Sequence, residues 1–161
     1  VIGGEPTLQP DLYEFLEDIK DMGYNIKLDT NGSNPQFIEK CLTSNIISYY
    51  AMDIKAPLSR YREISQFPGL IDNIEASRQI IMNSNVPYEF RTTIVKEQLS
   101  WQDLDSIGQE ISGAEMYALQ QFRPDNVSDQ TFVEKTPYSL IELNTLQKHM
   151  EQYVSKCIVR H

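Results

Sequence analysis

The chain has 161 residues, 40% of them hydrophobic, and a net charge of −9. That is enough apolar material for one full core, and the length predicts a single domain over 1–161. The acidity argues against nucleic acid as a partner, since such surfaces need a basic patch, and no apolar run approaches the roughly 20 residues of a membrane helix, so a soluble, cytoplasmic protein is expected.

Val1 and Ile2 read as the end of an apolar strand that runs into Gly3-Gly4-Glu5-Pro6-Thr7. Two adjacent glycines lay the backbone bare and allow positive φ, and Pro6 stiffens the exit, the outline of a binding turn for a small polar ligand. A chain that opens in mid-strand without an initiator Met reads as part of something longer. Leu12, Phe15, Leu16, Ile19 and Met22 recur at helical spacing, with Gly23 as the stop. Tyr24 to Leu28 reads as extended, ending at the turn signature Asp29-Thr30-Asn31-Gly32. Asn34-Pro35 opens a helix bearing Phe37, Ile38, Cys41 and Leu42. Ile46 to Ile54 reads as a strand buried on both faces.

Ser59 to Gln66 predicts a short helix, and Leu70, Ile71, Ile74, Ser77, Ile80 and Ile81 a longer one. Tyr88 to Val95 is rich in β-branched and aromatic residues and reads as a strand. Ser100 and Asp103 form a capping box for a helix through Ile111 that Gly113 ends. Glu115 to Gln121 supplies another strand, and Phe122 to Pro137 reads as a long loop. Ser139 and Glu142 cap a last helix bearing Leu143, Leu146, Met150, Tyr153 and Val154, before a short tail at Ile158-Val159. Strand and helix alternating at this spacing predict βαβ units and a parallel sheet, whose ligands bind at the C-terminal strand ends. Cys41, Cys157, His149 and His161 have no partner at metal-ligand spacing and read as structural.

The strand ends carry the unusual chemistry. They collect Gly3-Gly4-Glu5-Pro6, Asp29-Thr30-Asn31-Gly32, Asp53 with Lys55, Arg91-Thr92-Thr93 and Gln120-Gln121-Phe122-Arg123-Pro124. Asp53 and Lys55 are two apart, so on a strand an acid and a base share one face. Asp29 and Thr30 converge only if their strand has already ended there.

In this order the motifs resemble the radical S-adenosylmethionine activating enzymes that install glycyl radicals. The stretches from Gly3 to Leu12, Leu28 to Pro35, Met52 to Leu58 and Leu119 to Pro124 are most similar to the activating proteins of anaerobic ribonucleoside-triphosphate reductase, with pyruvate formate-lyase activating enzymes next. The resemblance covers nearly the whole chain. It implies an α/β fold, a partial (β/α) TIM-like barrel of parallel strands with outer helices, lacking N-terminal βα units. It also implies S-adenosylmethionine as cofactor, a glycyl radical enzyme as protein substrate, and an electron donor. Gly3, Gly4, Glu5 and Pro6 match the turn that receives the methionine ammonium, and Lys55 the position facing the carboxylate. Asn31, Arg91, Thr93 and Gln121 would line the rest of the pocket. Asp29, Thr30, Met52 through its carbonyl, and Asp53 match ligands of a monovalent cation, sodium or potassium, which would keep the clustered carboxylates ionised.

The family's 4Fe–4S cluster is held by three cysteines in a CxxxCxxC loop, and this chain contains no such loop. It therefore reads as the C-terminal portion of such an enzyme, with no catalytic or iron–sulfur residue of its own and inactive alone. Two other readings compete. Asp29 and Asp53 would suit magnesium in a phosphotransferase or aldolase barrel, although Glu5 would repel phosphate and no Walker lysine follows the glycines. A non-catalytic module that docks a larger partner is the third.

Overall fold

The computed structural model describes residues 1–65, 71–124 and 130–161. Eleven regular elements alternate: α1 (Leu12–Asp21), β1 (Lys27–Thr30), α2 (Pro35–Thr43), β2 (Tyr49–Asp53), α3 (Tyr61–Ile64), α4 (Ile71–Met82), β3 (Tyr88–Ile94), α5 (Trp101–Glu110), β4 (Tyr117–Gln121), α6 (Leu140–Met150) and β5 (Cys157–Arg160). The strands follow chain order in one sheet, β1-β2-β3-β4-β5. The described pairings of β1 with β2, β3 with β4 and β4 with β5 are parallel. This is the α/β fold that the alternating pattern predicts. Gln66, which closes one predicted helix, and Leu70, which opens the next, lie outside the described residues, as do 125–129 of the predicted loop.

The chain divides into two compact units, Val1–Asp53 with Phe67–Glu89, and Ile54–Gln66 with Phe90–His161. In the first, β1 pairs with β2 from Lys27↔Tyr49 to Thr30↔Met52. On the other edge of β1, Val1 donates to the Lys27 carbonyl and its own carbonyl accepts from Asp29 N at 3.0 Å, so the first residue is hydrogen-bonded as a strand neighbour. Tyr50, Ala51 and Met52 are successive and all fully buried, which requires cover on both faces of β2. Asn34 Oδ1 accepts from Phe37 N at 3.2 Å and Pro35 takes the first helical position, so α2 starts where its cap dictates. Helix α2 packs on α4, and Ile38 of the first and Ile74 and Ile81 of the second are buried.

Two expectations in this unit are corrected. Strand β1 begins at Lys27 rather than Tyr24 and runs through Thr30, so it has not ended at Asp29. Leu12 and Leu16 are buried, but Phe15 and Met22 are 54% and 71% exposed, so the apolar stripe of α1 is wider than the face it buries. Pro6–Leu8 forms a 3-10 turn ahead of α1, with Glu5 as its cap.

In the second unit both capping boxes form. Ser100 Oγ accepts from Asp103 N and the Asp103 carboxylate accepts from Ser100 N; Ser139 and Glu142 repeat the arrangement. The stretch around Ile158-Val159 is a fifth strand rather than a tail, in register with β4 from Tyr117↔Cys157 to Gln120↔Arg160. Helix α6 packs on β4 and β5 and ends at Met150, so Tyr153 and Val154 lie in the turn beyond it. Registers fix two faces here. Phe90, Thr92, Ile94, Tyr117, Leu119 and Cys157, which are buried, form one with Gln121 and Val159, which are half-buried. Arg91, Thr93, Ala118, Gln120, Ile158 and Arg160 form the other; apart from Ala118 they keep contact with solvent.

Candidate functional site

Glu5 organises the strand ends of the first unit. Its Oε1 accepts from Thr7 N at 3.2 Å, Thr7 Oγ1 at 2.6 Å and Thr30 Oγ1 at 2.9 Å, and its Oε2 accepts from Asn31 N at 2.6 Å. One carboxylate thus clasps the glycine turn to the end of β1. A carboxylate has about four acceptor positions, and among the described residues Oε1 takes three donors and Oε2 one. Gly3 and Gly4 take φ of 136° and 43°, and a Cβ built on either meets nothing within 4 Å. Their role is therefore conformational, and the space beside them is open. Pro6 is buried and opens the 3-10 turn.

The turn after β1 is held by its own side chains. Gly32 N donates to Thr30 Oγ1 at 3.0 Å, Ser33 N to Asn31 Oδ1 at 2.8 Å, and Ser77 Oγ to the Gly32 carbonyl at 2.7 Å. Because β1 continues to Thr30, Asp29 and Thr30 point to opposite faces. The Thr30 hydroxyl joins Glu5, away from Asp29, and the Asn31 side chain is engaged in the turn. Met52 lies beside Thr30 in the ladder with its side chain fully buried, leaving its carbonyl as its only hard-oxygen donor. Asp53 ends β2, half-buried. Asp29 is 9% exposed, and Lys27 Nζ approaches it at 3.9 Å and Glu89 Oε1 at 3.1 Å. The Glu89 side chain is 1% exposed, so Lys27 compensates a carboxylate that burial would otherwise penalise. Neither residue was singled out by the motifs; the only signal is an acid inside the apolar run of β3.

In the second unit, Ile54 N donates to the Arg91 carbonyl at 2.7 Å and the Ile54 carbonyl accepts from Thr92 Oγ1 at 2.7 Å. This carries the ladder one residue past β2 and brings exposed Lys55 out beside β3. Arg91 and Thr93 share the polar face. Gln121 does not join them: its Nε2 donates to the Tyr138 carbonyl at 2.9 Å and its Oε1 meets His161 Nδ1 at 3.2 Å, on the opposite face. Its neighbour Gln120 occupies the row with Thr93. Consecutive strand residues alternate, so the sequence could not choose between two adjacent glutamines without the register.

The cysteines are unsuited to metal. Cys41 and Cys157 are both buried, and burial pushes their thiols up to about 11 and about 12, far from the thiolate that iron requires. Among the described residues no group of three or more His, Cys, Asp and Glu is arranged to hold a metal ion. His149 is more engaged than its helical setting suggested. Its Nε2 lies 2.8 Å from Asp105 Oδ1, which also accepts from Tyr153 OH at 2.6 Å, and Trp101 packs edge-on to the imidazole. These bonds hold the Asp105 carboxyl below the usual range and tie α5 to α6 and the turn after it.

No protein-family model matches the chain. A protein of Methanocaldococcus jannaschii that bears the name of a glycyl-radical enzyme activating enzyme is 31% identical over 167 aligned positions, which cover 99% of this chain and 69% of that protein. An AdoMet-dependent heme synthase of Methanosarcina barkeri is 25% identical over 99 positions, 60% of this chain and 28% of its own length. Among solved structures, a domain of the pyruvate-formate lyase-activating enzyme of Bacteroides vulgatus superposes with a TM-score of 0.73 at 16% identity, covering 99% of this chain and 96% of that domain. SuiB of Streptococcus suis gives 0.69 at 14% identity, over 99% of this chain and 38% of its own. Both structural likenesses concern the fold.

Proposed function

The chain belongs to the radical S-adenosylmethionine enzymes that activate glycyl-radical proteins, and from that premise we propose that its strand ends bind S-adenosylmethionine to make a glycyl radical on a partner enzyme. The observation that carries this reading is the Glu5 clasp, which holds two glycines open beside a carboxylate whose Oε2 takes a single donor among the described residues. Glu5 Oε2 and the carbonyls of Gly3 and Gly4 suit the methionine ammonium, a cation that takes only acceptors. Lys55 suits the carboxylate, and Arg91 and Thr93 line the wall. Gln121 leaves this set, and the side chain of Asn31 serves the turn.

Asp29, Asp53 and the carbonyls of Met52 and Thr30 form the proposed sodium or potassium site, the Thr30 hydroxyl being committed to Glu5. S-adenosylmethionine supplies the hydrogen-abstracting chemistry when bound; the chain's share is to orient it and balance its charges. Cys41 and Cys157 do not fit an iron–sulfur cluster, so any cluster that serves this site is ligated by other cysteines, and we assign these 161 residues no catalysis of their own. An anaerobic ribonucleotide reductase is the proposed partner, with pyruvate formate-lyase next, and an electron donor is required. Titration calorimetry with S-adenosylmethionine in sodium, potassium and tetramethylammonium buffers tests the binding and cation roles. Binding should be tightest with one of the alkali ions, and Asp53→Ala should remove the difference; equal affinities in all three buffers would sink the cation site.

A further inference from the structure

Ile54, Ala56 and Pro57 are buried, and Lys55 between them is exposed. The backbone that presents this lysine has little freedom. On its N-terminal side, Ile54 N donates to the Arg91 carbonyl and the Ile54 carbonyl accepts from Thr92 Oγ1, both at 2.7 Å. On its C-terminal side, Pro57 holds φ at −62°, its ring restricts Ala56 to extended conformations, and Leu58 N donates to Glu110 Oε1 at 2.9 Å. The Thr92 anchor differs from the others in being buried. At 1% exposed it lies on the inner face of β3, where a hydroxyl is costly unless it is hydrogen-bonded. It is bonded twice: Tyr117 OH, fully buried, donates to Thr92 Oγ1 at 2.7 Å, and Thr92 donates onward to Ile54. A carbonyl can only accept, so the direction of both bonds is fixed. Burial pushes the Tyr117 hydroxyl above its ordinary range, which keeps it a donor, and each bond in such a chain polarises the next.

We propose that Thr92, backed by Tyr117, is a positioning residue for Lys55: it sets the plane from which the lysine side chain leaves, and so its aim at the carboxylate of S-adenosylmethionine. The proposal rests on the reading above, in which Lys55 meets that carboxylate. The Ile54 carbonyl belongs to the same rigid peptide plane as the nitrogen and Cα of Lys55, so a bond that fixes the one fixes the root of the other. A lysine carries its charge on a flexible stem. Fixing the root narrows the volume that the charge searches and lowers the ordering cost of its ion pair. Thr92 and Tyr117 reach no ligand themselves, since both are enclosed in the core; their effect passes through the backbone to an exposed residue.

The test is calorimetry with S-adenosylmethionine and with its decarboxylated analogue at one ionic strength. Its readout is the ratio of the two affinities, which isolates the carboxylate from everything the ligands share. Lys55→Met should lower that ratio about tenfold, the loss of a hydrogen bond from a charged donor. Thr92→Val should lower it about fivefold, and should change nothing more on a Lys55→Met background, because the two residues act as one unit. Thr92→Ser keeps the hydroxyl and should keep the parent's ratio. A role confined to packing would weaken both ligands alike and leave the ratio where it was; that result, or an equal loss with and without Lys55, would overturn the proposal. If Thr92→Val does not fold, Tyr117→Phe carries the same test with an expected fall of about twofold, and an unchanged ratio there overturns the proposal as well. A ratio that responds to Lys55 but not to Thr92 or Tyr117 sinks this inference alone. A parent that binds no S-adenosylmethionine, or whose ratio ignores Lys55, sinks the proposed function and this inference with it.

Discussion

Glu5 shows how a motif residue can be legible in sequence while its task is not. The sequence places an acid after two glycines; only the fold shows four donors converging on it from Thr7, Thr30 and Asn31. Glu5→Gln should therefore be far from conservative. Every neighbour donates, so an amide nitrogen would face donors, and the variant should lose about 1–3 kcal/mol in urea denaturation. Gly32 is a second such position. Its φ is 76°, and a Cβ there would sit 2.2 Å from Met52 Cε, whereas Gly113, at φ 87°, has nothing within 4 Å. Both alanine variants incur the left-handed backbone penalty of about 1 kcal/mol, and Gly32→Ala should be clearly the less stable because Met52 must also move. The choice between Gln120 and Gln121 was illegible for a different reason: it depends on hydrogen-bond register, which no single-strand pattern encodes.

Elements marked by local chemistry were readable and those made by tertiary pairing were not. Ser100 with Asp103, Ser139 with Glu142 and Asn34 with Pro35 announce their helices because a cap is satisfied within four residues. Strand β5 is four residues long and owes its existence to β4, so Ile158-Val159 alone carried no strand signal. The cap of α6 also yields a pH prediction. A bond from Lys96, then those from Ser139, hold the Glu142 carboxyl down to about 2, against an ordinary value of 4.5. A depressed folded value means that the stabilisation is complete above the ordinary value and is lost as the pH falls from 4.5 toward 2. Glu142→Gln should accordingly lower Tm at pH 7, and the gap to the parent should close over that acidic window. A gap that is constant with pH would show that the charge of Glu142 plays no part in the cap.

At the scale of the whole molecule, alternation of strand and helix made the α/β fold legible, and the motifs made the family legible, because both rest on local spacing. What the chain does with its two cysteines is a matter of burial. Cys41 lies in α2 and Cys157 in β5, each enclosed by core residues with its thiol pushed well above neutrality. A thiol that stays protonated is a poor nucleophile and a poor iron ligand, and the two lie in different compact units. Replacing both should therefore leave iron chemistry untouched. Incubated with iron and sulfide under anaerobic conditions, the 161-residue chain should take up no cluster and show no visible absorption, and Cys41→Ala with Cys157→Ala should behave the same way. The stability of the double variant should fall by about 1–2 kcal/mol per site, the range of a small buried truncation. The parent's native thiols should also react with an aromatic disulfide only on unfolding, at a rate that rises with denaturant. Iron and sulfide bound by the parent chain and lost from the folded double variant would place one of these cysteines at a cluster and overturn their assignment to the core.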